Sequence, residues 1–107
     1  MKKVVTLTLA LSAACLWIPT ANTAQAAATN GEELFAQRCS ACHPNGGNII
    51  NPQKSLHKAN REANKVNTVE AIIDKMRNPG PGMSKFDTNF LPDRDAKTIA
   101  EYILNTF

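Results

Sequence analysis

Past an opening apolar run, Val4 to Ile18, hydrophobic residues recur only at helical spacing. No segment of useful length alternates apolar and polar residues with period two, so no strand is expected. Asn30-Gly31-Glu32-Glu33 has the form of a capping box, with Asn30 as N-cap and Glu33 at N3. It predicts a helix that carries Leu34, Phe35 and Arg38 into Cys39. Pro44 to Asn48 and Asn51-Pro52 predict loop, and Ser55 to Ala63 predicts a short polar helix. Asn67-Thr68-Val69-Glu70 repeats the capping pattern and opens a helix with Val69, Ile72, Ile73 and Met76 on one face. That helix must stop at Asn78-Pro79-Gly80-Pro81-Gly82, where prolines and glycines forbid both helix and sheet. A last helix is expected from about Pro92 to Asn105, with Ala96, Ile99, Ala100, Ile103 and Leu104 in register and Pro92 near N1. The fold class is all-α.

The opening run divides the chain. Lys2 and Lys3 precede about 15 apolar residues, short of the ~20 that span a bilayer, and Ala24-Gln25-Ala26 follows. These are the three parts of a secretory signal peptide. Residues 1–26 are therefore expected to be cleaved, with Ala28 as the second choice of site, leaving residues 27–107 as one exported domain. An uncleaved N-terminal anchor is the alternative. Ser12-Ala13-Ala14-Cys15 departs from a lipoprotein site, because Leu11 is one position too far back and apolar residues follow the cysteine. Cys15 then leaves with the leader, and only Cys39 and Cys42 remain.

Size and charge narrow the picture a little further. A domain of about 81 residues has a thin core and commonly needs a staple. Its aromatics are Phe35, Phe86, Phe90, Phe107 and Tyr102, so a bulky apolar cofactor would fill the gap well. Loss of Lys2 and Lys3 takes the formal charge from +3 to +1, which argues against nucleic acid and against a general anionic membrane partner, and no later apolar run is long enough for stable membrane insertion.

Cys39-Ser40-Ala41-Cys42-His43 carries the chemistry. A structural zinc site needs four ligands, usually as two spaced pairs, and His57 is the one other histidine. A redox dithiol belongs between a strand and a helix, and no strand is available. Covalent haem attachment accounts for the spacing: two thiols three residues apart can add to the vinyl groups along one porphyrin edge, and the next histidine reaches the iron. Export agrees with it, since c-type haem is attached outside the cytoplasm. The expected cofactor is one haem c, held by Cys39 and Cys42, with His43 as an axial ligand.

The sixth position decides the use. Candidates are Met83, His57 and Met76, or an open site. Met76 lies in an apolar helical stripe, where methionine is usually core. His57 lies in the polar stretch Lys54-Ser55-Leu56-His57-Lys58. Met83 follows a rigid proline-glycine loop that presents one soft thioether, as a distal ligand requires.

Gly31-x-x-x-Phe35-x-x-x-Cys39-x-x-Cys42-His43, then Gly46-Gly47-Asn48, Lys54-Ser55-Leu56, a methionine loop and a final helix with Tyr102 resemble the cytochrome c6 family over essentially the whole mature chain. The resemblance implies a class I cytochrome c fold, about four helices around one covalent haem, with His43 and Met83 as axial ligands. It implies that Gly31 and Phe35 pack against the last helix near Tyr102. It also implies a monomeric electron carrier of the thylakoid lumen or periplasm. Such a carrier docks transiently on membrane complexes: cytochrome b6f, and photosystem I or a terminal oxidase. Met83-Ser84-Lys85-Phe86 stands where the family usually reads Met-Pro-x-Phe, and Pro79 and Pro81 enrich the loop before it. These departures suggest a divergent branch.

No catalytic acid, base or nucleophile is needed for that role, and no enzyme activity is expected. Ile49, Ile72, Phe86, Leu91 and Ile99 are expected to keep water from the iron and so raise its potential. Lys54, Lys58, Lys65, Lys75 and Lys85 could form a docking face, with Lys85 expected nearest the haem edge. Two other classes stay open: a haem sensor or peroxidase-like protein whose sixth position opens, and a bis-histidine subunit that uses His57.

Overall fold

The computed structural model describes residues 23–107, and side chains from residue 30 onward. The expected leader, with Cys15, lies outside the described residues save for its end. The described chain forms four α-helices: α1 Thr23–Arg38, α2 Lys58–Ala63, α3 Val69–Arg77 and α4 Asp93–Thr106. Short 3-10 turns occupy Pro44–Gly46 and Pro52–Lys54. No strand occurs among the described residues, and no helix there is long and apolar enough to cross a membrane.

α4 is the centre of the domain, since α1 and α3 both pack on it. Its stripe of Ala96, Ile99, Ala100 and Ile103 is fully buried, together with Phe35 of α1, Ile72 and Met76 of α3, and Leu91. The α1–α4 crossing is close because Gly31 has no side chain. A Cβ there would lie 2.9 Å from the Tyr102 Cβ and 3.2 Å from the Thr98 carbonyl oxygen. One turn along, the Phe35 ring meets Tyr102 at 5.5 Å and Phe107 at 5.3 Å. Gly31 and Phe35 thus pack on the last helix near Tyr102, as expected.

Three boundaries differ from expectation. Asn30 does not cap α1, because the helix continues back through Ala24 to Ala28, all strong helix formers. α3 is capped one residue later than expected: the Thr68 hydroxyl accepts the Ala71 N–H at 3.1 Å, leaving Asn67 outside. α2 begins at Lys58, three residues after Ser55. Ser55 instead turns inward, is buried, and its Oγ accepts from Asn60 Nδ2 at 2.6 Å.

Candidate functional site

The cysteine motif sits on the unwinding end of α1. The Phe35 carbonyl accepts from the Cys39 N–H at 2.8 Å and the Ser40 N–H at 3.0 Å. The Cys39 carbonyl accepts from Cys42 at 3.1 Å and His43 at 2.9 Å, so the motif keeps turning after α1 ends. Pro44 to Gly47 then reverse the chain, with Asn45 at φ 52° and Gly46 at φ 77°. The reversal brings the Gly47 carbonyl oxygen to 2.8 Å from His43 Nδ1. A carbonyl can only accept, so Nδ1 carries the proton and Nε2 is left with its lone pair for a metal.

Met83 arrives from the long connection between α3 and α4, and that connection is pinned where it returns to the core. The Phe86 N–H donates to the Met76 carbonyl at 2.9 Å, and Arg77 Nη1 donates to the Phe86 carbonyl at 2.8 Å. Arg77 Nη2 also pairs with Asp93 of α4 at 2.7 Å. Gly82, at φ 89°, lets the loop pass beside Ile50, whose side chain lies 3.3 Å from where a Cβ would stand.

Cys39, Cys42, His43 and Met83 all line one cavity of about 640 Å³. The other expected residues divide. Ile72, Phe86 and Leu91 stand in its wall, as does Met76, which is also core. Ile49 does not. Its neighbour Ile50 borders the cavity instead, although both are exposed, at 63 % and 61 %. Ile99 is buried behind the wall rather than in it. His57 is not a wall residue; its ring meets Phe107 edge-on at 6.1 Å. Lys54 and Lys75 line the cavity, whereas Lys85 is exposed beyond its rim. The wall residue least visible in the sequence is Arg61, 4 % exposed in a helix that reads as polar throughout.

Burial pushes the Cys39 thiol up to about 11 against the pull of Arg38, so Cys39 is not an activated thiolate. Both cysteines are free. A largely apolar cavity with two thiols, an imidazole and a thioether at its wall, and an unpaired buried guanidinium beside them, fits haem: a flat hydrophobic ring, iron, and anionic side chains.

Comparison with known proteins agrees. The family model described as cytochrome c oxidase, cbb3-type, subunit III, matches residues 26–103. Cytochrome c6 of Gracilaria tenuistipitata var. liui is 41% identical over 75 residues, covering 70% of this chain and 68% of the relative. Cytochrome c6 of Synechocystis sp. is 41% identical over 85 residues, covering 78% of this chain and 70% of the relative. The solved outer membrane cytochrome F (OmcF) of Geobacter sulfurreducens superposes with a TM-score of 0.70 at 48% identity, covering 72% of this chain and 98% of that one. Cytochrome c6C of Synechococcus sp. PCC 7002 gives 0.67 at 30% identity, over 71% of this chain and 92% of that one.

Fold and site together define a class I c-type cytochrome, an electron-transfer protein with one covalently bound haem c rather than an enzyme. Within that class the chain belongs to the cytochrome c6 family.

Proposed function

We propose that Cys39 and Cys42 carry the haem as thioethers, that His43 Nε2 and the Met83 thioether are its axial ligands, and that the protein is a diffusible one-electron carrier outside the cytoplasm. The observation that carries this reading is that these four side chains, from two segments about 40 residues apart, line a single cavity. The haem supplies one iron that cycles between two oxidation states. The chain's residues do the rest. Gly47 fixes the His43 tautomer. Arg77 and the Met76 carbonyl hold the Met83 loop in place. Ile72, Met76 and Leu91 keep water away, which favours the ferrous state and raises the potential. Two permanent ligands leave nothing to gain or lose when an electron moves, so reorganisation is small and small molecules are excluded.

Residues 1–26 act as the export signal on this reading, cleaved after Ala26 or Ala28. The compartment is a periplasm or thylakoid lumen, and the partners are membrane electron-transfer complexes. Cytochrome c6 relatives favour a photosynthetic pair, cytochrome b6f and photosystem I. A respiratory chain with a terminal oxidase is the other pairing, with Ser84, Lys85 and the proline-rich loop as marks of a separate branch.

A spectroelectrochemical titration of the mature protein tests the core of this. The ferric form should show the near-infrared methionine-to-iron band, and Met83→Ala should abolish it, lower the potential and admit carbon monoxide to the reduced form. A wild type that lacks that band and binds carbon monoxide readily once reduced removes the carrier reading.

A further inference from the structure

The cavity wall carries Arg38, Lys54, Arg61 and Lys75 and no acidic side chain. Three of these basic residues are exposed; Arg61 is not. Its Nη1 donates to the Leu56 carbonyl at 3.1 Å and to the Ile103 carbonyl of α4 at 2.9 Å. Those two bonds hold the guanidinium inside and occupy only one of its nitrogens. Nε is buried with no acceptor, and no described carboxylate lies within ion-pairing distance of the group. The nearest acid in sequence, Glu62, is exposed and faces Lys58 at 3.9 Å.

A buried cation without a counter-ion is unfavourable, and here its pKa is drawn below the ordinary arginine value by burial, with Glu62 opposing. The described residues place no carboxylate within ion-pairing distance to relieve it. A haem brings two carboxylates, its propionates. The chain itself seals Nε, whereas Nη2 has no partner among the described residues and is not sealed, so Nη2 can donate to a carboxylate oxygen. Resting on the haem reading above, we propose that Arg61 is the built-in counter-ion of one haem propionate, engaged through Nη2, which Leu56 and Ile103 leave free. It is a positioning residue. It keeps that propionate ionised and oriented, and it offsets the propionate's negative charge near the iron.

The other charged groups around this pair are Glu62 and Lys58 on the same helix and Arg38, Lys54, Lys75 and His43 on the cavity wall. α4 contributes only the Ile103 carbonyl. None is an acid that could replace the propionate, and Arg61 is the one fully buried cation among them.

The test uses the holoprotein with haem carboxyls labelled with carbon-13, followed by NMR and potentiometry in wild type, Arg61→Lys and Arg61→Gln. In wild type, one propionate resonance should hold its position between about pH 5 and 9, and the Arg61 Nη2 protons should show a nuclear Overhauser contact to that propionate's methylenes. In Arg61→Gln the same resonance should titrate inside that range, because a buried carboxylate stripped of its cation takes up a proton. At pH values above that titration, where the propionate is ionised in both proteins, the potential of Arg61→Gln should fall below wild type, with Arg61→Lys between the two. A purely structural tie between α2 and α4 would lower stability and leave the propionate titration unmoved, and that result overturns the assignment. If Arg61→Gln does not fold, the wild-type contact decides alone, and its absence counts against Arg61. A wild type that shows the methionine band but no Arg61 contact sinks this proposal and leaves the ligand reading intact.

Discussion

The ring of Phe107 occupies the space in which a side chain on Gly46 would begin. A Cβ on Gly46 would stand 2.5 Å from Phe107 Cδ1, and Gly46 is itself at φ 77°. The same turn carries the Gly47 carbonyl that receives the His43 proton, and the Gly46 carbonyl accepts from the Leu56 N–H. The C-terminal aromatic and the proximal ligand are therefore coupled through two glycines.

Gly46→Ala should cost about 2–4 kcal/mol, from left-handed backbone strain added to overpacking against Phe107. Chemical unfolding of the holoprotein measures it. A double-mutant cycle with Phe107→Ala should recover part of the loss, since the smaller residue removes the clash but leaves the strain. Full additivity of the two substitutions would show that the ring is not the obstacle.

Arg77 should matter to the iron without touching it. Arg77→Gln withdraws the donor to the Phe86 carbonyl and leaves that half-buried oxygen unsatisfied, at about 1–3 kcal/mol. The methionine-to-iron band should then disappear at a lower guanidinium concentration than the helical signal does. Asp93→Asn, which loses only the mostly exposed ion pair, should change stability by less than about 1 kcal/mol and leave the band where it was. Equal effects of the two would assign the role to the ion pair instead.

How far these features were legible follows from where each signal resides. Cys39, Cys42 and His43 are a covalent pattern five residues long, and Met83 is set off by Pro79 to Gly82, so local chemistry was enough to find them. The helical stripes of α3 and α4 were readable because a long amphipathic period repeats the same information several times. Asn30 misled because a capping box is a local preference, and the alanines before it let the helix continue. Ile49 and Ile50 are adjacent in a turn without periodicity, so nothing in the sequence says which one borders the cavity. Arg61 was illegible for a stronger reason. An arginine between Asn60 and Glu62 reads as solvated surface, and only the carbonyls of Leu56 and Ile103, the latter 42 residues away, draw it inside.

His57 should prove dispensable to the haem. It caps α2 through its backbone position alone and rests its ring edge-on against Phe107. His57→Ala should leave the visible spectrum and the potential unchanged and lower stability by no more than about 1 kcal/mol, the worth of one aromatic contact. A shift to a five-coordinate spectrum would instead make His57 a ligand.

The lysines at the cavity separate two ideas about docking. Lys85 is two residues from Met83 in sequence but stands outside the wall, whereas Lys54 and Lys75 belong to it. Electron exchange depends steeply on the approach to the ring, so a charge at the cavity mouth acts on the productive encounter, while a distant one mostly alters the overall field. With an anionic inorganic oxidant at low ionic strength, Lys75→Glu should slow the reaction about threefold to tenfold, and Lys54→Glu should act in the same direction. Lys65→Glu, exposed between the wall residues Asn64 and Val66 but not itself lining the cavity, should do less, and the differences should shrink above about 0.3 M salt as the Debye length contracts. Lys85→Glu discriminates between the two ideas. If it slows the reaction more than Lys75→Glu does, electrons leave past the Met83 loop; if less, they leave beside α3 and the Pro52–Lys54 turn.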